Sequence, residues 1–521
     1  MAKVLTVGRP WRAILLFAVP LLIGNVVQQL YQFADTIVVG RHLGVSSLAA
    51  VGTTGGLLFL LLGFAWGMTS GFAIPTAQAY GARDHAAVRR SVAAGTLLTG
   101  ATSVLLTIAA PLLAGPVLAL LQTPDELMAE ATTFAQVSFL GTGALMFFNY
   151  LSAIIRAIGD SRTPLVFLTL ACLLNVVLVV LMVGPLGLGV GGAALATVVS
   201  QAVSTLLCLH LVRRRIPVLH VQRADWRVPP AALAEHLRLG LPMGFQASII
   251  AIGTLAVQVR LNGLGADAVA AYTAASRVDG LAVALLQSLG LAVSMFVAQN
   301  LGADRPDRIR QGVLQALRIA VVGALAIGAT LLVGGSALVH VFVGDGEDEV
   351  VRLATQLLHV NAALYTVLGV LFVLRGALQG LGRTAVPTLT GVIELVMRVG
   401  AAIALGAAYG FIGVVWGNPL AWIGATVLLV PAYRRAHRWL AERPVAADVD
   451  DPTGAVAVGA RSVPVSSVPA AEPVPVVGPT DGSMVVDAVV PQPARPASGP
   501  VRRLRQRIRH PRLARRAAAR R

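Results

Sequence analysis

Long apolar stretches constrain this chain more than any other feature. They recur at about residues 13–40, 46–74, 88–112, 131–157, 163–183, 189–212, 236–260, 268–298, 311–335, 351–374, 384–408 and 411–433. Each runs for about 20 residues or more, enough to cross a hydrocarbon core of roughly 30 Å at 1.5 Å per residue. Without water to pair backbone groups inside a bilayer, such segments must be helices. Only 12% of the 521 residues are charged and the mean hydropathy is +0.77, so a soluble fold could not cover the apolar surface. The expected class is an all-α integral membrane protein of twelve transmembrane helices. The first stretch is too long for a signal peptide and lacks a small-residue cleavage site, so it is expected to stay in the mature chain.

Basic residues test the count, because short cytoplasmic loops carry an excess of Arg and Lys. With both ends of the helical region inside, 24 basic residues fall on the cytoplasmic side, among them Arg83, Arg213, Arg305, Arg375 and Arg434. Only Arg41, Arg260, Arg277 and Arg352 fall toward the outside, and Arg398 lies mid-helix. A missed span would scramble that asymmetry. The outer loops are neutral or acidic, as in DGEDE at Asp345 to Glu349.

The chain also repeats itself. At an offset of 221, LGVSSLAAV from Leu43 aligns with LGADAVAAY from Leu264, and AQAYGARDHAAVR from Ala77 with AQNLGADRPDRIR from Ala298. Nine of these 22 positions are identical, and at an offset of 223 Gly159 and Pro164 match Gly382 and Pro387. Six spans per copy is an even number, so both copies enter the membrane in the same sense and their symmetry axis follows the membrane normal. The expected organisation is two pseudo-symmetric lobes around a central cavity: an N-lobe at 1–212, a cytoplasmic linker at 213–235, a C-lobe at 236–443 and a tail at 444–521. The tail is rich in Pro, Val, Ala and Ser without helical periodicity and reads as disordered. Its last 21 residues hold ten arginines, from Arg502 to Arg521, a charge suited to anionic lipid headgroups. No aromatic interleaving supports a nucleic-acid surface there. Cys172 and Cys208 both lie in spans and suggest packing rather than a disulfide or a metal pair.

One ionisable residue stands out for function. Asp35 interrupts the first helix, where a carboxylate costs roughly 2.5–3.5 kcal/mol on insertion scales and therefore faces protein or a water-filled cavity. A carboxylate taken out of water favours its neutral form, which suits a group that binds and releases a proton. Gln28, Tyr31 and Gln32 lie seven, four and three residues earlier, on nearly the same face, and form a supporting polar stripe. Pro20 is a candidate hinge. The competing reading is a structural carboxylate paired with a neighbouring helix or with Arg41.

The run from Pro20 to Gly44, the AQ-x-x-GA stretches at Ala77 and Ala298, RAIGDSRTP at Arg156, LNVVL at Leu174 and GVGGAALAT at Gly189 together resemble the multidrug and toxic compound extrusion family. The resemblance covers about residues 9–440. It implies a secondary antiporter that exports amphiphilic, often cationic organic compounds against inward proton or sodium flow, with no enzymatic activity and no cofactor. Asp35 matches the family's first-helix acidic residue, and Asn175 and Thr197 match polar positions of the fifth and sixth helices in the same cation-coupling network. Val179 replaces an aspartate common one turn after Asn175, so protons are expected as the coupling ion, with sodium the alternative. The seventh and tenth helices lack internal acids, which brings the chain closest to the DinF-type branch. A plasma-membrane protein acting as a monomer, with both termini cytoplasmic, is expected.

Two further sets need a role. Glu394 and Arg398, spaced i to i+4, are expected to neutralise each other on one face of the eleventh helix. Arg277 and Asp279 are too close in sequence to share a face of the eighth. Both sets read as structural, with contact to substrate in the cavity as the alternative. Competing functions are a lipid or oligosaccharide flippase, a membrane enzyme, or a scaffold displaying the basic tail. A single mid-helix arginine argues against the flippase. The enzyme lacks paired aspartates, a zinc-ligand cluster or a serine–histidine set, and no G-x-x-x-x-G-K-[ST] loop offers ATP drive.

Overall fold

The computed structural model describes residues 5–121, 123–343 and 347–444. The tail beyond residue 444, including Arg502 to Arg521, and part of the DGEDE loop lie outside the described residues. Among those described, the regular structure is entirely helical. It comprises α1 (Pro10–Gly81), α2 (His85–Leu120), α3 (Asp125–Leu140), α4 (Thr142–Ala157), α5 (Arg162–Val183), α6 (Gly189–Arg215), α7 (Pro230–Asn262), α8 (Ala266–Gly302), α9 (Pro306–Val343), α10 (Asp348–Gly380), α11 (Ala385–Tyr409), α12 (Phe411–Val415) and α13 (Gly417–Ala441).

Thirteen helices make twelve spans because elements and crossings do not coincide. α1 carries two spans, Pro10–Gly44 and Ser46–Gly81, around the single non-helical residue Gly44. The fourth span is the pair α3 and α4, bent by 46° at Gly141, and the twelfth is broken at Trp416 between α12 and α13. Pro20 sits inside α1 without interrupting it; the irregular backbone is at Gly44 instead. Between α6 and α7 the non-α connector is residues 216–229, shorter than 213–235, because α6 continues through Arg215 and Pro230 opens α7. Leucines and valines such as Leu105, Leu112, Val322 and Val333 are exposed on α2 and α9, as lipid-facing residues must be.

The duplication is written in the backbone as well as in the sequence. Positive φ values occur in pairs at the same offsets: Gly44 with Gly265, Arg83 with Asp304, Gly159 with Gly382 and Gly189 with Gly410. Equivalent turns in the two halves therefore keep the same conformation even where the residue type has changed. α1 is the seam between the halves, packing along α7 and α8 as well as on α4 and α5. The largest buried apolar cluster centres on α8, α9, α10 and α13 and draws in both ends of α1, through Ile14, Phe17 and Ile74, and the end of α4, while three smaller clusters lie in the first half.

At the end of the bundle where the arginines gather, the repeated AQ-x-x-GA motifs meet each other. A Cβ on Gly81 would overlap the Gln299 carbonyl, and one on Gly302 would overlap the Gln78 carbonyl, so only glycine permits this reciprocal approach. Each glutamine then caps the other half. Gln78 donates to the Gly380 carbonyl at the end of α10 (3.2 Å), and Gln299 to the Ala157 carbonyl at the end of α4 (2.7 Å). Ala157 and Gly380 are themselves related by the 223-residue offset. The segment before α1 and the helix's first turn strap the same junction: Leu5 N donates to Gln299 (2.9 Å), Arg308 donates to the Gly8 carbonyl (2.9 Å) and Trp11 N donates to Gln315 (2.9 Å).

Candidate functional site

The first limb of α1 brings Tyr31 against α6, and α5 brings Asn175 to the same point. Asn175 Nδ2 donates to Thr197 Oγ1 (3.0 Å), whose own proton goes to the Ala193 carbonyl (3.3 Å). That leaves the Tyr31 hydroxyl as donor in its 3.1 Å contact with the same oxygen. Of the expected set of Asp35, Asn175 and Thr197, the last two are joined directly, and it is Tyr31 of the polar stripe that completes the hydrogen-bonded trio. Asp35 stands one turn beyond Tyr31, half-buried, without a hydrogen bond to Asn175 or Thr197 and without an ion pair to Arg41. Asp35 Oδ1 and Asn175 Oδ1 are both buried acceptors lacking a donor among the described residues. Two unmet oxygens beside a hydrogen-bonded trio suit a proton or a small cation, since an unpaired buried acceptor is costly. Gln28 and Gln32 are exposed, so the polar stripe divides: Tyr31 turns toward α6 and Asp35 is half-buried one turn on, while the glutamines are not covered. Beside them, Asn25 donates to Ser288 (3.0 Å) and Phe33 lies under Arg277 (5.1 Å), which ties α1 to α8.

In the second half the ionisable residues pair differently from the sequence expectation. Glu394 does not pair with Arg398. It takes Arg375 from α10, which also donates to Thr390 (3.3 Å). The i to i+4 spacing allows a pair on one face, but a guanidinium from a neighbouring helix reached the carboxylate first. Arg375, counted above with the cytoplasmic arginines, is a buried residue of the bundle. Glu394 is buried and neutralised, and so is not available to attract a cationic substrate. Arg277 and Asp279 do diverge. Arg277 stacks on Phe33, while Asp279 accepts from Tyr365 (2.7 Å) and Asn361 (2.9 Å) of α10, with Arg398 within electrostatic reach.

Asn361 and Tyr365 were missed in the sequence, although HVNAALYTV places them i to i+4 in an apolar span, the same spacing as Tyr31 and Asp35. By the offsets of 223 and 221, Asn175 corresponds to Arg398 and Thr197 to Asn418. The two halves therefore carry polar residues at equivalent positions of α5 and α11 and of α6 and α13, whereas the carboxylates come from non-equivalent spans, the first limb of α1 and α8, and Asp279 takes its hydrogen bonds from α10. Two cavities lie elsewhere. One of about 470 Å³ opens beside Gln78, Arg90, Glu235 and His236, and one of about 670 Å³ lies among α2, α4, α6 and the connector. Phe147 and Tyr150 line the larger one, whereas Phe64 and Phe245 pack edge to face (5.6 Å) between α1 and α7.

The MatE family profile matches residues 20–181 and 242–422, one block in each half of the duplication. The chain belongs to the MatE family. It is similar to the probable multidrug resistance protein YoeA of Bacillus subtilis (strain 168), 29% identical over 398 residues, covering 74% of this chain and 84% of that protein. It is also 23% identical over 400 residues to an FAD transporter of Shewanella oneidensis, covering 76% of this chain and 88% of the relative. A crystal structure described as MATE in the bent conformation superposes with a TM-score of 0.77 at 24% identity, covering 84% of this chain and 97% of that one. MatE proteins are membrane transporters, not enzymes, and this chain has their all-helical, twelve-span fold.

Proposed function

We propose that this MatE protein is a secondary antiporter that exports amphiphilic, often cationic organic compounds in exchange for protons, by alternating access of its two halves. The observation that carries the reading is the pair of unmet buried oxygens on Asp35 and Asn175 beside the Tyr31–Thr197 bond. A proton on Asp35 turns an acceptor without a partner into a donor, a change that a coupling site requires. Sodium would need several oxygens around it; Val179, where a second carboxylate would stand, supplies none, so the proton is favoured. The multidrug name of the Bacillus relative supports the substrate class, and the acid-free interiors of α7 and the tenth helix favour the DinF-type branch. The arginine-bearing end is cytoplasmic on the charge rule, in the plasma membrane, with both termini inside. The closed junction at that end then represents the state shut toward the cytoplasm, and one chain suffices for the cycle.

The relative named as an FAD transporter favours a second reading, an anionic cargo. Against it, the buried guanidinium of Arg375 is already paired with Glu394, and Arg398 lies within electrostatic reach of Asp279. The test is dye efflux in proteoliposomes under imposed proton or sodium gradients. Wild type should exchange under a proton gradient alone, and Asp35→Asn should insert normally but lose that exchange. Full gradient-driven efflux by Asp35→Asn, or dependence on sodium alone, would reject proton coupling at Asp35.

A further inference from the structure

The cavity of about 670 Å³ lies wholly within the first half, away from Asp35, between α2, α4 and α6 and under the connector. Its volume falls in the range of real ligand sites, roughly 300–1,000 Å³. Leu151, Ile154, Leu206, Leu209 and Phe147 make its walls apolar, and Leu206 is 65% exposed at the outer face of α6, so the cavity is reached sideways from the bilayer.

The polar groups inside are already satisfied. Tyr150 donates to the Val92 carbonyl (2.8 Å), Thr96 to the same carbonyl (2.7 Å) and Thr205 to Gln201 and Ala144 (2.8 and 3.1 Å). His220 Nε2 is held by the Val212 carbonyl (2.9 Å). With those protons committed, the cleft offers an occupant hydroxyl oxygens that accept but no uncommitted hydroxyl donor. What remains free is the guanidinium of Arg213 at the mouth, exposed and without an ion pair among the described residues. Arg214 and Arg215 follow it on α6, and Arg223 and Arg227 stand on the connector. The acid of the connector, Asp225, is taken by Arg89 (3.2 Å) and by the Gln222 amide (2.8 Å), so it does not neutralise this edge. Trp226, 44% exposed, lines the same mouth, and indoles favour the headgroup level of a membrane.

An apolar cleft open to lipid, a cationic mouth and an interfacial tryptophan specify an amphiphile with an apolar tail and an anionic head. We propose that this cavity is a binding site for an anionic phospholipid, with one acyl chain between α2, α4 and α6 and the phosphate at Arg213. A cationic drug is disfavoured by the same arginine. Because buried Leu219 and half-buried Val221 form part of the wall, a bound chain packs directly on the connector between the two halves. The inference does not depend on which ion drives transport.

The test is lipid titration of the full-length protein in neutral detergent, followed by native mass spectrometry and by the thermal unfolding midpoint. Phosphatidylglycerol and phosphatidylcholine are the probes, with glycerol phosphate as the headgroup alone. Wild type should retain one phosphatidylglycerol more tightly than phosphatidylcholine and gain thermal stability from it. Arg213→Glu, a surface change that leaves packing intact, should weaken phosphatidylglycerol on the order of tenfold and leave phosphatidylcholine unchanged. Ala202→Phe, which fills the cleft, should weaken both lipids while its lipid-free midpoint shows that it still folds. Arg434→Glu, an equal charge change on α13 far along the chain, should alter neither. The proposal is overturned if Arg434→Glu weakens phosphatidylglycerol as much as Arg213→Glu does, if neither cavity variant changes retention, or if glycerol phosphate stabilises as well as the whole lipid.

Discussion

Inside the bundle, Glu394 and Asp35 are set in opposite ways. Glu394 has a guanidinium on it and a threonine beside that guanidinium; Asp35 keeps an oxygen with no donor. Removing one partner of a buried ion pair strands the other charge, which costs about 3–5 kcal/mol, whereas removing both is close to neutral. Glu394→Gln should therefore destabilise the protein by about 3–5 kcal/mol, and Arg375→Gln with Glu394→Gln should recover most of the loss, read as unfolding midpoints in detergent. A double variant as unstable as the single one would mean that the pair does more than neutralise itself. At Asp35 the opposite holds. Asparagine there removes a charge that nothing balances, so stability should change by less than about 1 kcal/mol, or rise, while coupled efflux is lost. Stability traded for activity at one position is what a working site looks like.

The closure at the arginine-bearing end belongs to elements rather than to single side chains, because it needs the last turns of α1 and α8 to touch backbone to backbone. Gly302→Val places a branched side chain where the Gln78 carbonyl stands. The junction can no longer shut, although each half keeps its own core. A cysteine at Ser161, which is 5% exposed at this end, gives the readout. It should react slowly with a maleimide in the otherwise native chain and markedly faster with Gly302→Val added; equal rates would show that the junction is not a gate. The motif itself was legible in the sequence, since AQ-x-x-GA occurs twice at a fixed offset. Its reciprocal contact was not, because a repeat states that two segments are alike and not that they meet. The same limit explains Glu394. Spacing along α11 reveals Arg398 as a possible neighbour on that helix, but Arg375 approaches from α10, and packing between helices leaves no trace in the local pattern. The twelve crossings were readable for the converse reason: bilayer thickness sets a length requirement on each segment by itself.

At the scale of the whole molecule, a duplicated scaffold carries unduplicated chemistry. The paired positive-φ turns keep the two halves alike, yet the carboxylate near the α5–α6 cluster comes from α1, and the one in the second half comes from α8 and bonds to α10. The tail contributes to neither cluster on this reading, so deletion of residues 445–521 should leave proton-driven efflux intact; loss of efflux in a stably inserted deletion would assign the tail a working role. The sharper separation is between the two carboxylates. Asp279 already accepts two hydrogen bonds and offsets the charge of Arg398, which is the setting of a structural acid. Asp279→Asn can still accept from Tyr365 and Asn361, but through a neutral amide oxygen, and the weaker hydrogen bonds should lower stability by about 1–3 kcal/mol. The number of protons exchanged per dye should not change in the population that remains folded. Asp35→Asn should show the reverse, unchanged stability and no exchange. If Asp279→Asn instead melts like wild type and halves the proton count, the second half holds a coupling site as well, and the asymmetry lies in the helix that supplies the acid rather than in the work each half performs.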